Sequence, residues 1–372
     1  MALPLRIARA GDDDPFPLRN QLPFNLLFLD QTPRGARVLE ARRTRVAVHA
    51  AYESTFVASA DLIALYRQDD FATLDGRVTL PILEGVAAGT PGRTGFVLDG
   101  ETLRTTVDFG IGLGRRFEID LEVPFLLHTS GVLDRAIDGY HARLGLPDGG
   151  RSAFARDRYV AAYVGDGAEV FFDGPAGGIR PGDVVLTGRA ALLRQAARRP
   201  DLAASLAVKL PTGDPRRLDG SGRADYGASI QISRVFGRTT LHAGYQVTRV
   251  GGWALAPSLP LGDPRSLFGA CGVALTRRST LIVQILRSSG PFRYRPGSDL
   301  GRVAQEIAAG FRTRTARSLL FQWALIENLD RHLNTPDVGL FVGLSSAGTV
   351  PAGRLPSPPL PIAPPAPPAA SP

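Results

Sequence analysis

Hydrophobic and polar residues alternate with a period of two in many separate segments of the chain. In 103–113, Leu, Thr, Val, Phe, Ile and Leu alternate with Arg, Thr, Asp, Gly and Gly. In 117–125, Phe, Ile, Leu, Val and Phe alternate with Glu, Asp, Glu and Pro. Because successive side chains of a strand point to opposite faces, each segment predicts a strand with one apolar face and one polar or glycine face.

The same alternation predicts ten further strands, and therefore twelve strands in all. These ten segments are 45–57, 183–194, 202–211, 226–236, 239–249, 266–276, 280–288, 303–313, 318–327 and 337–346. The segment 280–288 fits the pattern least well, because Ile282 and Leu286 fall on its polar face.

The connections between these strands alternate between short and long. Short turns are expected near 114–115, 197–201, 237–238, 277–278 and 315–317, and long loops at 58–96, 129–182, 212–225, 250–265, 289–302 and 328–336. A soluble β-sandwich has no reason to place short and long loops at opposite ends. Outer-membrane barrels combine short periplasmic turns with long extracellular loops. The pattern therefore predicts an all-β fold, a twelve-stranded antiparallel transmembrane β-barrel in a bacterial outer membrane.

The barrel is expected to span 37–347, with an irregular segment before it and a Pro-rich tail after it. Residues 1–36 are interpreted as a truncated leader followed by a lumen or periplasmic segment, because Ala8-Arg9-Ala10 resembles the end of a signal peptide without its apolar core. Apolar residues at helical spacing predict one short amphipathic helix at 132–144, in an extracellular loop. Ten prolines in 351–372 predict a disordered tail over 348–372.

Composition excludes several kinds of chemistry. The formal charge of +8 is carried almost wholly by scattered arginines, Lys209 being the only lysine, so no nucleic-acid partner is expected. One cysteine and five histidines without ligand spacing predict no metal, and we expect no cofactor. Since no Gly-x-Ser-x-Gly motif is present, we do not expect an enzyme.

Several short motifs resemble the domain-of-unknown-function 3187 family, bacterial proteins grouped with outer-membrane barrels. The matching pieces are Leu98–Glu101, Leu133-Asp134 to Tyr140-His141, Gly145–Pro147, Gly149–Arg151 and Lys209–Gly213. The resemblance implies an outer-membrane barrel, and it brings no activity, ligand or catalytic residue. The chain departs from such barrels in one respect, because its last strand does not end the chain on an aromatic residue.

The polar faces of the predicted strands collect charged and amide side chains that would line the lumen. These candidates are Glu53, Arg104, Asp108, Glu118, Asp120, Glu122, Lys209, Gln231, His242, Glu306 and Gln322. One interpretation is a hydrated wall whose charges pair across strands, and the other is a selectivity lining or a solute site. Twelve strands lie between the filled eight-stranded barrels and the open porins, so a narrow pore is expected.

The sequence is compatible with four functions. The first is a narrow channel or small-solute transport protein in contact with the lipid bilayer. The second is a non-conducting structural or interaction barrel whose loops or Pro-rich tail bind a periplasmic or other partner, with the lumen closed by residues 12–36. An outer-membrane hydrolase and a soluble β-sandwich are the remaining alternatives.

Overall fold

The strands of the protein form one large antiparallel sheet. The computed structural model describes residues 14–68, 75–89, 92–131, 139, 143, 150–175, 177–295, 298–315, 319–329, 334–336 and 338–346. The strands are β1 (Thr44–Ala58), β2 (Gly95–Leu113), β3 (Phe117–Thr129), β4 (Val160–Gly165), β5 (Ala168–Asp173), β6 (Arg180–Pro181), β7 (Val185–Leu193), β8 (Asp201–Lys209), β9 (Asp225–Phe236), β10 (Thr239–Arg249), β11 (Arg265–Ala274), β12 (Ser279–Ser289), β13 (Val303–Arg314), β14 (Leu319–Asn328) and β15 (Val338–Ser346).

Twelve of these strands close into a barrel. β1, β2 and β3 pair in order, β7 follows β3, and the pairing continues strand by strand to β15. β15 then pairs with β1 over the register from Ala47↔Ser345 to Ser54↔Val338, so the barrel has no free edge. The predicted twelve-stranded antiparallel barrel is confirmed, and each predicted segment overlaps one of these strands.

The outer surface of the barrel is apolar. The residues that alternate with the buried polar set point outward with large exposed side chains, for example Phe109, Ile119, Leu206, Ile230, Leu267, Leu325 and Leu340. Such a continuous apolar band is what a bilayer covers in a membrane barrel. None of the helices among the described residues is long and apolar enough to cross a membrane.

The barrel end that carries the long connections is called the outer end here, and the opposite end the inner end. The outer end bears two helices, α1 (Ala60–Tyr66) and α2 (Leu80–Ala88), and the β4–β5 hairpin, which extends the sheet from the first residues of β2. These elements lie in segments predicted as loops. The predicted helix 132–144, apart from Gly139 and Arg143, and the predicted tail 348–372 lie outside the described residues.

Apolar side chains of the outer end form a dome over the barrel. Its buried members include Tyr163 and Val170 from the β4–β5 hairpin and Trp253, Leu259 and Phe292 from long connections. The dome explains why β2 begins eight residues before the predicted strand. Its first residues, 95–102, are buried on both faces and therefore show no alternation.

Candidate functional site in the barrel lumen

The lumen of the barrel is occupied by the chain itself. Residues 14–39, called the plug here, precede β1, and each of them is buried or half-buried. The plug consists of an ascending arm (14–21), an apex (22–28) beneath the dome, and a returning arm (29–39) that leads to β1. Asp14 lies beside Gly35, so the two arms meet near the inner end.

The ascending arm is held through its backbone and its amide side chains. Arg312 on β13 donates to the carbonyl oxygen of Asp14 at 2.6 Å. Further contacts join arm and wall in the same polar manner: Gln284 Nε2 to the Phe16 carbonyl at 3.1 Å, Gln21 Nε2 to Glu53 Oε1 at 2.6 Å and Asn20 Nδ2 to Glu306 Oε1 at 3.4 Å.

The ascending arm also brings apolar side chains into the lumen. Phe16 packs against Phe341 of β15 with ring centroids 5.6 Å apart. Phe16 and Leu18 share one buried cluster with Ile282 of β12 and Ile326 of β14. The apolar residues on the inner faces of these strands therefore have partners within the barrel.

The apex contains a short 3-10 turn over Asn25–Leu27, in which the Phe28 N–H donates to the Asn25 carbonyl at 3.3 Å. Arg19 donates to the carbonyls of Asn25 and Phe28, each at 2.8 Å. Phe24 packs against Trp253 of the dome with ring centroids 5.2 Å apart. The apex is thus fixed both to its own arm and to the dome.

Lys209 ties the apex to the barrel wall. Its Nζ donates to the Leu27 carbonyl at 2.8 Å and lies 2.5 Å from Asp183 Oδ2 and 3.3 Å from Asp225 Oδ2. Asp183 also accepts the Gly213 backbone N–H at 2.8 Å. The Lys209–Gly213 motif therefore forms a latch between the plug, the wall and an outer connection.

The outer connection of the latch carries its own ion pair. Arg180 Nε donates to Asp219 Oδ2 at 2.7 Å. Burial raises the pKa of the Asp219 carboxyl, and the Arg180 guanidinium acts in the opposite direction.

The returning arm follows the polar side of the wall to the inner end. Its backbone N–H groups donate to wall side chains: Leu29 to Asp225 Oδ2 at 2.9 Å, Ala36 to Ser233 Oγ at 2.8 Å and Leu39 to Glu118 Oε2 at 2.7 Å. Its side chains make further polar contacts: Asp30 with Gln246 and Ser266, Gln31 with Ser229, Arg34 with Asp108 and Arg37 with Asp201.

Arg45 is the centre of an ion-pair network at the inner end. Its guanidinium reaches Glu118 at 3.1 Å and Asp108 at 3.4 Å, and it also bonds Asp120. Arg189 of β7 bonds Glu118 from the other side at 3.5 Å. Three neighbouring carboxylates would repel one another without these cations.

All eleven candidate lumen residues point into the barrel and are largely buried. Five of them contact the plug directly: Glu53, Asp108, Glu118, Lys209 and Glu306. The other six bond neighbours on the wall: Arg104 with Glu122, Asp120 with Arg45, Gln231 with Ser205 and Ser229, His242 with Ser233, and Gln322 with Arg312.

Four further charged residues of the wall make contacts like those of the candidates, but the sequence analysis did not identify them. Asp183, Asp201 and Asp225 stand at strand boundaries, where alternation gives no signal, and Arg45 is the second residue of β1. Their common sequence signal is a charged residue at the start of an alternating segment or directly before it.

Polar residues predominate in the lining of two of the cavities beside the plug. One of about 60 Å3 lies between its arms and the wall strands β1 and β13–β15. The other, of about 30 Å3, lies beside the returning arm and is lined by Asp120, Glu122, Arg189 and Gln231 among others. No group of three potential metal ligands occurs within the described residues.

Comparisons with known proteins agree on this architecture. The model of the family described as protein of unknown function (DUF3187) matches residues 92–347. The crystal structure of the COG4313 outer membrane channel from Pseudomonas putida F1 superposes with a TM-score of 0.51 at 12% identity, covering 85% of this chain and 99% of that one. No relative was found among curated proteins.

A second solved structure is similar at a lower score. The Pseudomonas putida toluene transporter TodX gives a TM-score of 0.38 at 11% identity, covering 91% of this chain and 96% of that one. The superposition on the COG4313 channel and the closed barrel of twelve strands together show that the protein has an outer-membrane barrel fold.

Proposed function

Because the chain belongs to the family of proteins of unknown function DUF3187, whose description assigns no activity, we propose a function from the lumen itself. The protein is a narrow outer-membrane channel for small polar solutes, and the plug controls their passage. The observation that carries this proposal is the polar wall, which faces a plug held mainly by hydrogen bonds and ion pairs.

The course of the plug supports a movable gate. Both arms lead to the inner end, so the plug can withdraw as one loop without threading an end through the barrel. Once the loop has left the lumen, water can satisfy most of the donors and acceptors that bonded it to the wall. A neutral hydrogen bond of this kind contributes only about 0.5–1.5 kcal/mol net and one to a charged group about 1.5–3 kcal/mol, because water replaces the lost partner.

The width of the barrel supports a small solute. A twelve-stranded barrel is only somewhat wider than the eight-stranded barrels that side chains nearly fill. The two polar cavities beside the plug would form part of the route that a small solute takes through the lumen. The polar character of their walls favours polar over apolar solutes.

The dome favours a second candidate function. Its apolar cluster packs on the apex and closes the outer end in this conformation. A barrel that stays closed would act through its surface, as a structural or interaction protein whose loops or Pro-rich tail bind a partner. Solute flux through the full-length protein separates the two functions.

The experiment is a disulfide lock between plug and wall. Ala36→Cys and Ser233→Cys are introduced with Cys271→Ser, since the Ala36 N–H already contacts Ser233 Oγ at 2.8 Å. Proteoliposomes with this variant are tested for swelling in a small sugar, reduced and oxidised. If the plug gates a channel, the variant with the reduced cysteines should allow flux and the variant with the disulfide should not.

The control places a disulfide within the wall, away from the plug. Ser279 and Thr313 face each other across β12 and β13 with hydroxyl oxygens 3.1 Å apart. The Ser279→Cys/Thr313→Cys variant should conduct equally in both states. Absence of flux in both states of the plug variant, with the barrel folded, supports the sealed barrel instead.

A further inference from the structure

The larger cavity has the features of a binding site. It is lined by the ascending arm at Asp14 and the returning arm at Arg34, by His49 of β1, and by Arg312 and Gln322 of the neighbouring strands β13 and β14. Its volume is about 60 Å3. Since one water molecule needs about 10–15 Å3, the cavity has room for a group of roughly four or five heavy atoms.

His49 is the least satisfied polar side chain of this cavity. The residue is only 4% exposed, and neither ring nitrogen has a hydrogen-bond partner among the described residues. Burial of a polar group without a partner costs free energy, so such groups normally have one. A neutral imidazole carries one N–H donor, which is available to a molecule in the cavity.

The space beside His49 is kept by a glycine. His49 lies directly opposite Gly343 in the β1–β15 register. A Cβ at position 343 would come within 2.7 Å of Gln322 Nε2 and 3.1 Å of His49 Cβ. A side chain there would therefore push into the cavity wall between His49 and Gln322.

Guanidinium groups outnumber carboxylates among the residues that line the cavity. Four arginines line it, Arg34, Arg37, Arg45 and Arg312, against the two carboxylates of Asp14 and Asp108. Arg34 and Arg45 bond Asp108, Arg45 also bonds Glu118 and Asp120 behind the cavity, and Arg37 bonds Asp201. Arg312 donates to Gln322 Oε1 at 2.6 Å and to the backbone carbonyls of Asp14 and Pro15 in the plug.

We propose that this cavity binds a small oxyanion, a carboxylate or a phosphate, through the His49 N–H donor and the surrounding guanidinium groups. Charge-assisted hydrogen bonds from arginine suit both anions, and they are stronger than neutral ones. Such a site would make small oxyanions the solutes of the proposed channel, and to that extent it rests on the proposed function. It also connects both plug arms to one ligand, so a bound anion would bridge the plug and the wall.

The test is equilibrium binding to the full-length protein in detergent. Sodium acetate and sodium phosphate are titrated separately by calorimetry, with sodium chloride as the background salt. His49→Leu should weaken binding by about tenfold or more, the usual worth of a hydrogen bond to a charged partner. His49→Gln keeps an N–H donor and should stay within about threefold of the wild type.

The matched control is His128→Leu. His128 is also a buried wall histidine, but it lies 3.0 Å from the Thr102 hydroxyl and does not line this cavity. The variant should bind the anion as the wild type does. A mobility shift between unboiled and boiled samples verifies that each variant is a folded barrel.

The outcomes are separable from those of the disulfide-lock experiment. Binding of acetate, phosphate or both, weakened by His49→Leu only, supports the site and identifies its ligand. Absence of binding to the wild type, or equal binding by His49→Leu, overturns it even if the channel conducts. Binding by a barrel that never conducts leaves the site standing and rejects the channel.

Discussion

The only lysine of the chain, Lys209, donates a 2.8 Å hydrogen bond to the backbone carbonyl of Leu27 at the apex of the plug. The ammonium group is 2% exposed and also bonds Asp183 at 2.5 Å and Ser221 at 2.8 Å. A compact ammonium can serve several acceptors that converge from different directions, which a planar guanidinium does less well. This geometry gives a physical reason for a lysine in a chain that otherwise uses arginine.

Replacing this lysine should therefore loosen the outer end. Lys209→Met removes the cation and leaves Asp183 and Asp225 buried without it, which costs about 3–5 kcal/mol. We expect the folded, heat-modifiable form to convert to the unfolded form at a clearly lower temperature. Gel mobility after stepwise heating measures this change.

Arg249→Met is the matched control for the lysine variant. Arg249 pairs with Asp263 at 2.9 Å, but both side chains are exposed, so the loss should stay below about 1 kcal/mol. Equal conversion temperatures for Lys209→Met and the wild type would contradict the latch.

Gly112 on β2 leaves room for the chain segment that connects the plug to β1. A Cβ at Gly112 would meet the Glu40 carbonyl oxygen at 2.1 Å, so Gly112→Ala must displace the chain between plug and β1. Overpacking of this kind costs about 1–3 kcal/mol. Cleavage at Arg34 and Arg37 by trypsin should become about tenfold faster, because the plug opens more often.

Gly188→Ala is the control for this cleavage. Nothing lies within 4 Å of a Cβ at Gly188, so the added methyl group should change neither folding nor cleavage. Unchanged cleavage in Gly112→Ala would mean that the contact does not hold the plug.

The pair Arg104–Glu122 should set ion selectivity once the plug is removed. The two side chains bond each other across β2 and β3, and both point into the lumen. In a barrel lacking residues 14–39, Glu122→Gln should shift the reversal potential toward anion selectivity and Arg104→Gln toward cation selectivity. Arg249→Gln, which is exposed at the end of β10, should leave it unchanged. Shifts of the same sign would refute the assignment.

The two tryptophans should report opposite environments. Trp323 points outward from β14 and is 36% exposed, whereas Trp253 is 1% exposed within the dome. Brominated lipids should quench the fluorescence of the Trp253→Phe variant strongly and that of Trp323→Phe weakly. The reverse order would contradict the lipid-facing assignment of the barrel surface.

The alternation along the chain predicted the barrel because each strand has one lipid face and one interior face. It could not predict what fills the interior. Ile282 weakened the prediction of β12 since it lies on the polar face, and the structure gives it Phe16 and Leu18 as partners. Periodicity assigns a residue to a face, but it carries no information about a distant segment that packs there.

The candidate lumen residues were predictable in their orientation and not in their partners. Asp120 and Glu122 are two residues apart on one face, yet Asp120 bonds Arg45 and Glu122 bonds Arg104. His49 gave no signal at all, because an inward histidine is ordinary until the space beside it is known. The helices α1 and α2 were missed since they have only seven and nine residues, too few for a clear period.

Single-channel recordings of the full-length protein and of a variant lacking residues 14–39 show whether the plug closes the lumen. The full-length protein should show a low conductance with rare transitions, and the variant should show a stable, larger conductance in every insertion event. Equal conductances from two folded barrels would contradict a plug that occupies the lumen and controls passage.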